Sequence, residues 1–134
     1  MKPIQKIYIA LFGRPADLAG LHYWQATLDE GTSLSAIIEL MSRSKEFQSL
    51  FSSLTWSETA AAVYSNMFGS EPTPQLLAVL EEKTSIGELF LALESTETFS
   101  SGADTLLARL DAAEQFIVQL ESLNLPNAFC GEAA

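Results

Sequence analysis

The sequence predicts an all-α protein, a compact multi-helix bundle built from two degenerate helix-corner-helix repeats. Three observations predict it. Apolar residues recur at three- and four-residue spacings through eight segments, the period of helices that each bury one face. No segment sustains the alternation of apolar and polar residues that marks a strand. The seven glycines and five prolines fall mostly at breaks between those segments, as short interhelical connections require. A chain of 134 residues with 48% hydrophobic and 18% charged content has a globular composition and enough length to bury a core.

The first helix is expected over residues 3–12, where Ile7, Tyr8, Leu11 and Phe12 form an apolar stripe that runs into Gly13. Gly13 can take the left-handed conformation that ends many helices. Pro15 lacks an amide donor and biases Arg14 away from helical angles. Asp17 can accept from the first free amides of the next helix, expected over 18–29, and suits its positive dipole end. At 100° per residue, Leu18, Leu21, Trp24 and Leu28 group on the core side of that helix, with Tyr23 nearly opposite and His22 to one side. Trp24 is therefore expected as a core anchor whose truncation to Ala would cost roughly 3–5 kcal/mol.

Helices over 33–41 and 44–51 follow. Thr55 and Glu58 have the spacing of a capping box ahead of a helix over 56–68, and Ser85 and Glu88 have the same spacing ahead of one over 86–93. Between them, Thr73 followed by Pro74 suits the start of a helix over 74–82. A short turn is expected around Thr96 to Phe99. The last and longest helix, 103–122, places Leu106, Leu110, Ala113, Ile117 and Leu120 on one face, flanked by Leu107 and Phe116. Residues 123–134 contain Pro126 and Gly131 and are expected to be a tail.

The corner occurs twice. Ala62 to Gly69 repeats the frame of Lys6 to Gly13 at an offset of 56, with Tyr64 under Tyr8, Met67 under Leu11, Phe68 under Phe12 and Gly69 under Gly13. Beyond it the offset becomes 52, with Thr84-Ser85-Ile86 under Thr32-Ser33-Leu34 and Phe99 under Phe47. The second copy lacks the Arg-Pro-Ala-Asp run and the Tyr-Trp pair. Two units fall short of a solenoid, so the expectation is one pseudo-symmetric domain over 1–122. Repeat one covers about 4–51, repeat two about 56–100, and the helix over 103–122 closes the bundle.

Charge is distributed unevenly over a chain whose formal net charge is −10. Residues 1–50 are balanced, with five basic and five acidic groups, whereas residues 51–134 set only Lys83 and Arg109 against twelve carboxylates. An acidic half of this kind repels phosphate backbones and anionic bilayers, so no nucleic-acid partner is expected. No run approaches the ~20 apolar residues of a membrane-spanning helix. Lys2 and Lys6 ahead of the run from Ile7 to Gly13 superficially resemble a signal peptide. That run is short and leads into Arg14-Pro15 rather than a small-residue cleavage site, so it is read as an ordinary first helix. Cys130 is the single cysteine and cannot form an internal disulfide, which fits either the cytosol or export by a disulfide-independent route.

Candidate chemistry is sparse. His22 is the only histidine, which argues against a histidine-rich metal site or a histidine–cysteine pair with Cys130. Asp17, Asp29 and Glu30 do not form the alternating ligand loop of a calcium site. No phosphate loop, nucleophile elbow or zincin motif is present. The expectation is a protein that is not an enzyme and uses no cofactor or metal. The candidate ligand-binding group is Tyr23 with His22 and the corner residues Arg14 and Asp17, which could hold a sugar or a neighbouring subunit by stacking and hydrogen bonding. The alternatives are that Tyr23 covers an adjacent helix, that Arg14 bonds the last carbonyls of the first helix, and that Asp17 is only a cap.

The corner also carries a resemblance. Tyr8, the run from Leu11 to Asp17, Gly20-Leu21, Tyr23-Trp24, Gly31 and the closing Ser44 to Phe47 resemble a helical domain of unknown function found in large bacterial surface proteins. Those proteins include surface-layer subunits and secreted repeats-in-toxin proteins. The likeness covers about residues 4–50. A second proline usual near position 18 is replaced by Leu18, which leaves the helix start to Asp17. The resemblance implies an anchoring or interaction module at the bacterial cell surface, outside the cell. It would bind lipopolysaccharide glycan or other protein subunits, including further copies of itself. The alternative is a cytoplasmic scaffold, since the pattern is also distantly similar to the linker polypeptides of cyanobacterial antenna complexes. Those linkers tend to be basic, and this chain is acidic.

Overall fold

A computed structural model describes residues 2–96 and 102–122. Within them the chain is helical: α1 (Lys2–Phe12), α2 (Leu18–Asp29), α3 (Leu34–Met41), α4 (Lys45–Phe51), α5 (Trp56–Phe68), α6 (Pro74–Glu81), α7 (Ile86–Thr96) and α8 (Ala103–Ser122). Among the described residues there is no strand, and no helix is long and apolar enough to cross a membrane.

Local chemistry starts these helices where the caps lie. Asp17 Oδ1 accepts from Gly20 N at 2.6 Å, Ser33 Oγ from Ala36 N at 3.1 Å, Ser44 Oγ from Phe47 N at 3.2 Å and Thr73 Oγ1 from Leu76 N at 3.2 Å. Each side chain satisfies an amide that the first helical turn leaves without a partner. Ser33 and Ser44 are therefore caps outside the helix, not its first residues. Thr55 and Glu58 form the reciprocal capping box. The box expected at Ser85 is displaced: Ser85 Oγ accepts from Glu88 N, but Glu88 Oε1 reaches back to the amide and hydroxyl of Thr84, both at 3.0 Å. Those two bonds hold the Glu88 carboxyl below its usual range. From the α3 side, Glu39 Oε2 accepts from Gly87 N at 3.0 Å, so a second helix also caps α7.

Helix α7 runs three residues beyond its expected end at 93. The apolar stripe stops at Leu93, but neither Gly nor Pro follows to break the backbone. Glu94 also meets Lys6 of α1 at 3.4 Å. The turn expected around Thr96 to Phe99 and the tail over 123–134, including Cys130, lie outside the described residues.

Helix α1 lies at the centre. It packs on α5, α8, α2 and α4; α5 also contacts α6 and α8, and α3 lies on α7 and α2. One hydrophobic cluster extends from Ile4 to Ile117 and takes Ile4, Ile7, Ile9, Ala10 and Leu11 from α1. With neighbours on several sides, α1 buries more than one stripe, as a central helix does. Burying each large aliphatic or aromatic side chain here contributes about 1.5–3 kcal/mol. Helix α2 departs from expectation. Leu18 and Leu21 are buried, but Trp24 and Leu28 are only partly buried at the edge of the cluster. Trp24 is not the core anchor: it packs against the cluster from its rim and meets Tyr23 edge to face, the position of an aromatic with a polar edge.

Candidate functional site

The site is built on the corner between α1 and α2. Gly13 takes φ +68°, a conformation most side chains avoid, and its amide bonds Ile9 O at 3.0 Å. The carbonyl of Ala10 near the end of α1 accepts from Asn66 Nδ2 of α5 at 3.0 Å. Asn66 thus performs the capping role that the sequence left open for Arg14. The Arg14 guanidinium instead forks onto Glu46 of α4, with Nε to Oε2 at 2.9 Å and Nη2 to Oε1 at 2.7 Å. Its Nη1 donates to Pro15 O at 3.0 Å. Its carbon centre lies 5.4 Å from the Tyr8 ring centroid and 5.7 Å from that of Phe12, within cation–π range. The hydrogen bond to Glu46 raises the Arg14 pKa further, against the opposing effect of burial.

Tyr8 is the pivot of the corner. Its hydroxyl lies against the first turn of α2, where a Cβ on Gly20 would come within 2.6 Å of it. Burial pushes the phenol up to about 12, with the nearby Asp17 carboxylate adding to the rise. Ala16, buried within the elbow, donates its amide to Gln5 Oε1 of α1 at 2.9 Å. The corner is therefore fixed at three points: Asp17 on Gly20, Gln5 on Ala16 and Arg14 on Glu46.

This rigid elbow aims the outer face of α2. Tyr23 is 43% exposed and meets Trp24 edge to face, with ring centroids 4.9 Å apart and an interplanar angle of 80°. Thr27 Oγ1 bonds the Tyr23 carbonyl at 2.9 Å. His22 is exposed beside it. The four candidate residues do not form one cluster. His22 and Tyr23 share the outer surface of α2, whereas Arg14 and Asp17 are engaged within the corner. Among the described residues, Arg14 makes no hydrogen bond, ion pair or ring contact with either aromatic residue.

Arg14 faces a different opening. It lines a cleft of about 460 Å³ with Gly13, Ser65, Asn66 and Arg109. There Arg109 Nη1 bonds the carbonyls of Ser65, at 3.2 Å, and Asn66. The two arginines sit at the carboxyl ends of α1 and α5, where cations are favoured. Sequence reasoning missed Gln5, Asn66 and Arg109, and took Glu46 as part of the closing motif without pairing it with Arg14. A signal existed for Gln5: it lies three and four residues before Tyr8 and Ile9, on a buried side of α1. Asn66 and Arg109 act across the tertiary fold and left no local trace.

No curated protein matches this chain, and no solved structure matches it. Residues 2–51, the segment that forms α1 to α4 and the whole elbow, match the family described as "Domain of unknown function (DUF4214)".

Proposed function

We propose that this chain is a non-enzymatic interaction or anchoring module of a bacterial cell-surface or secreted protein, similar to the anchoring part of a surface layer. In this reading the outer face of α2 binds lipopolysaccharide glycan or a neighbouring subunit. The observation that carries the proposal is Tyr23, half exposed and held edge-on against Trp24 on a helix whose entry is fixed at three points. Such an aromatic offers a pre-ordered contact surface and a polar tip at low entropic cost. His22 adds a hydrogen-bonding group next to it. Charge supports an orientation. The neutral α1–α4 half can approach an anionic glycan, while the acidic half is turned away by repulsion.

The test is calorimetric titration of the full chain with extracted lipopolysaccharide and with its free polysaccharide. Tyr23→Ala should weaken binding by at least about tenfold, as an exposed aromatic hot spot does, with unchanged circular dichroism. Absence of binding, or equal binding by the variant, sinks the glycan reading. The second reading, a scaffold that docks a basic protein partner, draws on the acidic α5–α8 half and on Leu107, Phe116 and Val118, which are exposed on α8. Cell fractionation separates the two, because a wholly intracellular pool favours the scaffold.

A further inference from the structure

The equivalent helices of the two repeats pack on each other, α1 on α5 and α3 on α7. They also bury equivalent positions. At the offset of 52, Ile37, Ile38 and Met41 correspond to Leu89, Phe90 and Leu93, and all six are buried. Repeats stacked in one direction bury opposite faces on their neighbours, whereas units related by a two-fold axis bury the same face. On such an axis a residue meets its own counterpart, and the structure contains contacts of that kind. Asn66 corresponds to Ala10 at the offset of 56, and its Nδ2 donates to the Ala10 carbonyl. Gly87 corresponds to Ser35 at the offset of 52, and a Cβ on Gly87 would lie 3.8 Å from the Ser35 carbonyl oxygen.

We propose that this two-fold face is a recognition surface for a second copy of the chain, entered by exchange. Repeat two, with α8, leaves its own repeat one and docks on that of the other copy, which returns the same unit. Every contact across the face is then remade between chains, so the exchange costs only the change at the connection. That connection is the short stretch from Ser52 to Thr55 between α4 and α5, with both of its serines exposed. Each side is secured without it. Ser44 caps α4, and Thr55 and Glu58 box the start of α5, while the Arg14–Glu46 fork lies wholly within repeat one. The axis also selects the partner. Two copies of repeat one would set Ala10 against Ala10, with no side-chain donor for either carbonyl. Only repeat one on repeat two gives the Ala10 carbonyl its amide, and a buried acceptor left without one is costly. The exchange therefore closes as a reciprocal dimer and does not run on as a filament. It leaves the outer face of α2 untouched, so the inference stands independently of the glycan reading.

The experiment refolds the full chain at a series of concentrations and reads the mass by light scattering after size exclusion. A short flexible tether holds its ends at an effective concentration on the order of 1 mM, so refolding near ~1 mM should give comparable monomer and dimer, and refolding below ~10 µM monomer alone. Deleting Ser52 and Ser53 hinders closure within one chain and should raise the dimer share at the lower concentration by at least about tenfold. Inserting a flexible Gly-Ser segment after Ser53 eases closure and should lower the dimer share at the higher concentration; it carries the test if the deletion variant does not fold. In a dimer refolded from differently isotope-labelled chains, the nuclear Overhauser contact between the Asn66 side-chain amide and Ala10 should join two chains. An intact chain that stays monomeric at every concentration overturns the proposal. So does a dimer whose Asn66–Ala10 contact remains within each chain, or an insertion variant that dimerises as readily as the intact chain.

Discussion

The corners that follow α1 and α5 begin alike and are secured differently. Both open with a tyrosine and a phenylalanine one turn apart: Tyr8 and Phe12 at 5.3 Å with a 53° tilt, and Tyr64 and Phe68 at 4.8 Å with a 47° tilt. Both close on a left-handed glycine, Gly13 at φ +68° and Gly69 at φ +80°. Beyond the glycine they diverge. The first corner is bonded within itself and to α1 and α4, with Ala16 buried inside it. The second, Ser70 to Thr73, is largely exposed and is held from outside by α8. Arg109 bonds the last α5 carbonyls, and Gly102 packs directly on Phe68. The same helix ending can thus be made rigid by its own loop or by a distant helix, and only the first presents an adjoining outer face of fixed geometry.

The comparison can be broken first at the paired phenylalanines. Phe68 is fully buried, whereas Phe12 is partly exposed. Phe68→Ala should destabilise by about 3–5 kcal/mol, and Phe12→Ala by clearly less, in urea unfolding. Equal losses would mean that the corners are equally embedded. Gly102→Ala comes next. An added Cβ would overlap the Phe68 carbonyl, backbone that cannot swing aside, and overpacking of this kind costs about 1–3 kcal/mol. Its effect should appear as a lower melting temperature, and unchanged stability would show that α8 does not clamp the second corner.

The smallest effect at neutral pH belongs to Tyr8. Its folded pKa is raised to about 12, above the ordinary value of about 10. The protonated phenol therefore contributes stability that is fully present below pH ~10 and is lost as pH rises toward ~12. Tyr8→Phe should remove that alkaline loss. Phenolate absorbance of the intact protein should show a late-ionising step that Tyr8→Phe removes, and an unchanged titration in that variant would contradict a buried Tyr8.

Much of the fold was legible because caps and breakers act locally. Asp17, Thr55 and Thr73 announced their helices through side-chain bonds three residues long. The end of α7 was not legible, since nothing after Leu93 forbids another turn and the Glu94–Lys6 contact lies between elements. Ser85 was read correctly as a cap, but the partner of Glu88 moved one residue back, a choice between two neighbouring amides that spacing does not resolve. Of the candidate site, the outward direction of Tyr23 followed from helical geometry. The engagement of Arg14 with Glu46 did not, because it depends on where α4 returns to the corner. Trp24 departs from expectation for a related reason: its angle points it at the cluster, but how deeply it sinks there depends on the helices packed around it.

The bond from Asn66 to Ala10 joins positions 56 residues apart, and it lies in the interface where α1 rests on α5. A polypeptide released from the ribosome up to Phe51 would own every residue of the family match yet lack α5 and α8, on which α1 packs. Such a truncated product should be sticky and prone to aggregation, so expression trials aimed at the matched segment alone should extend at least through α5.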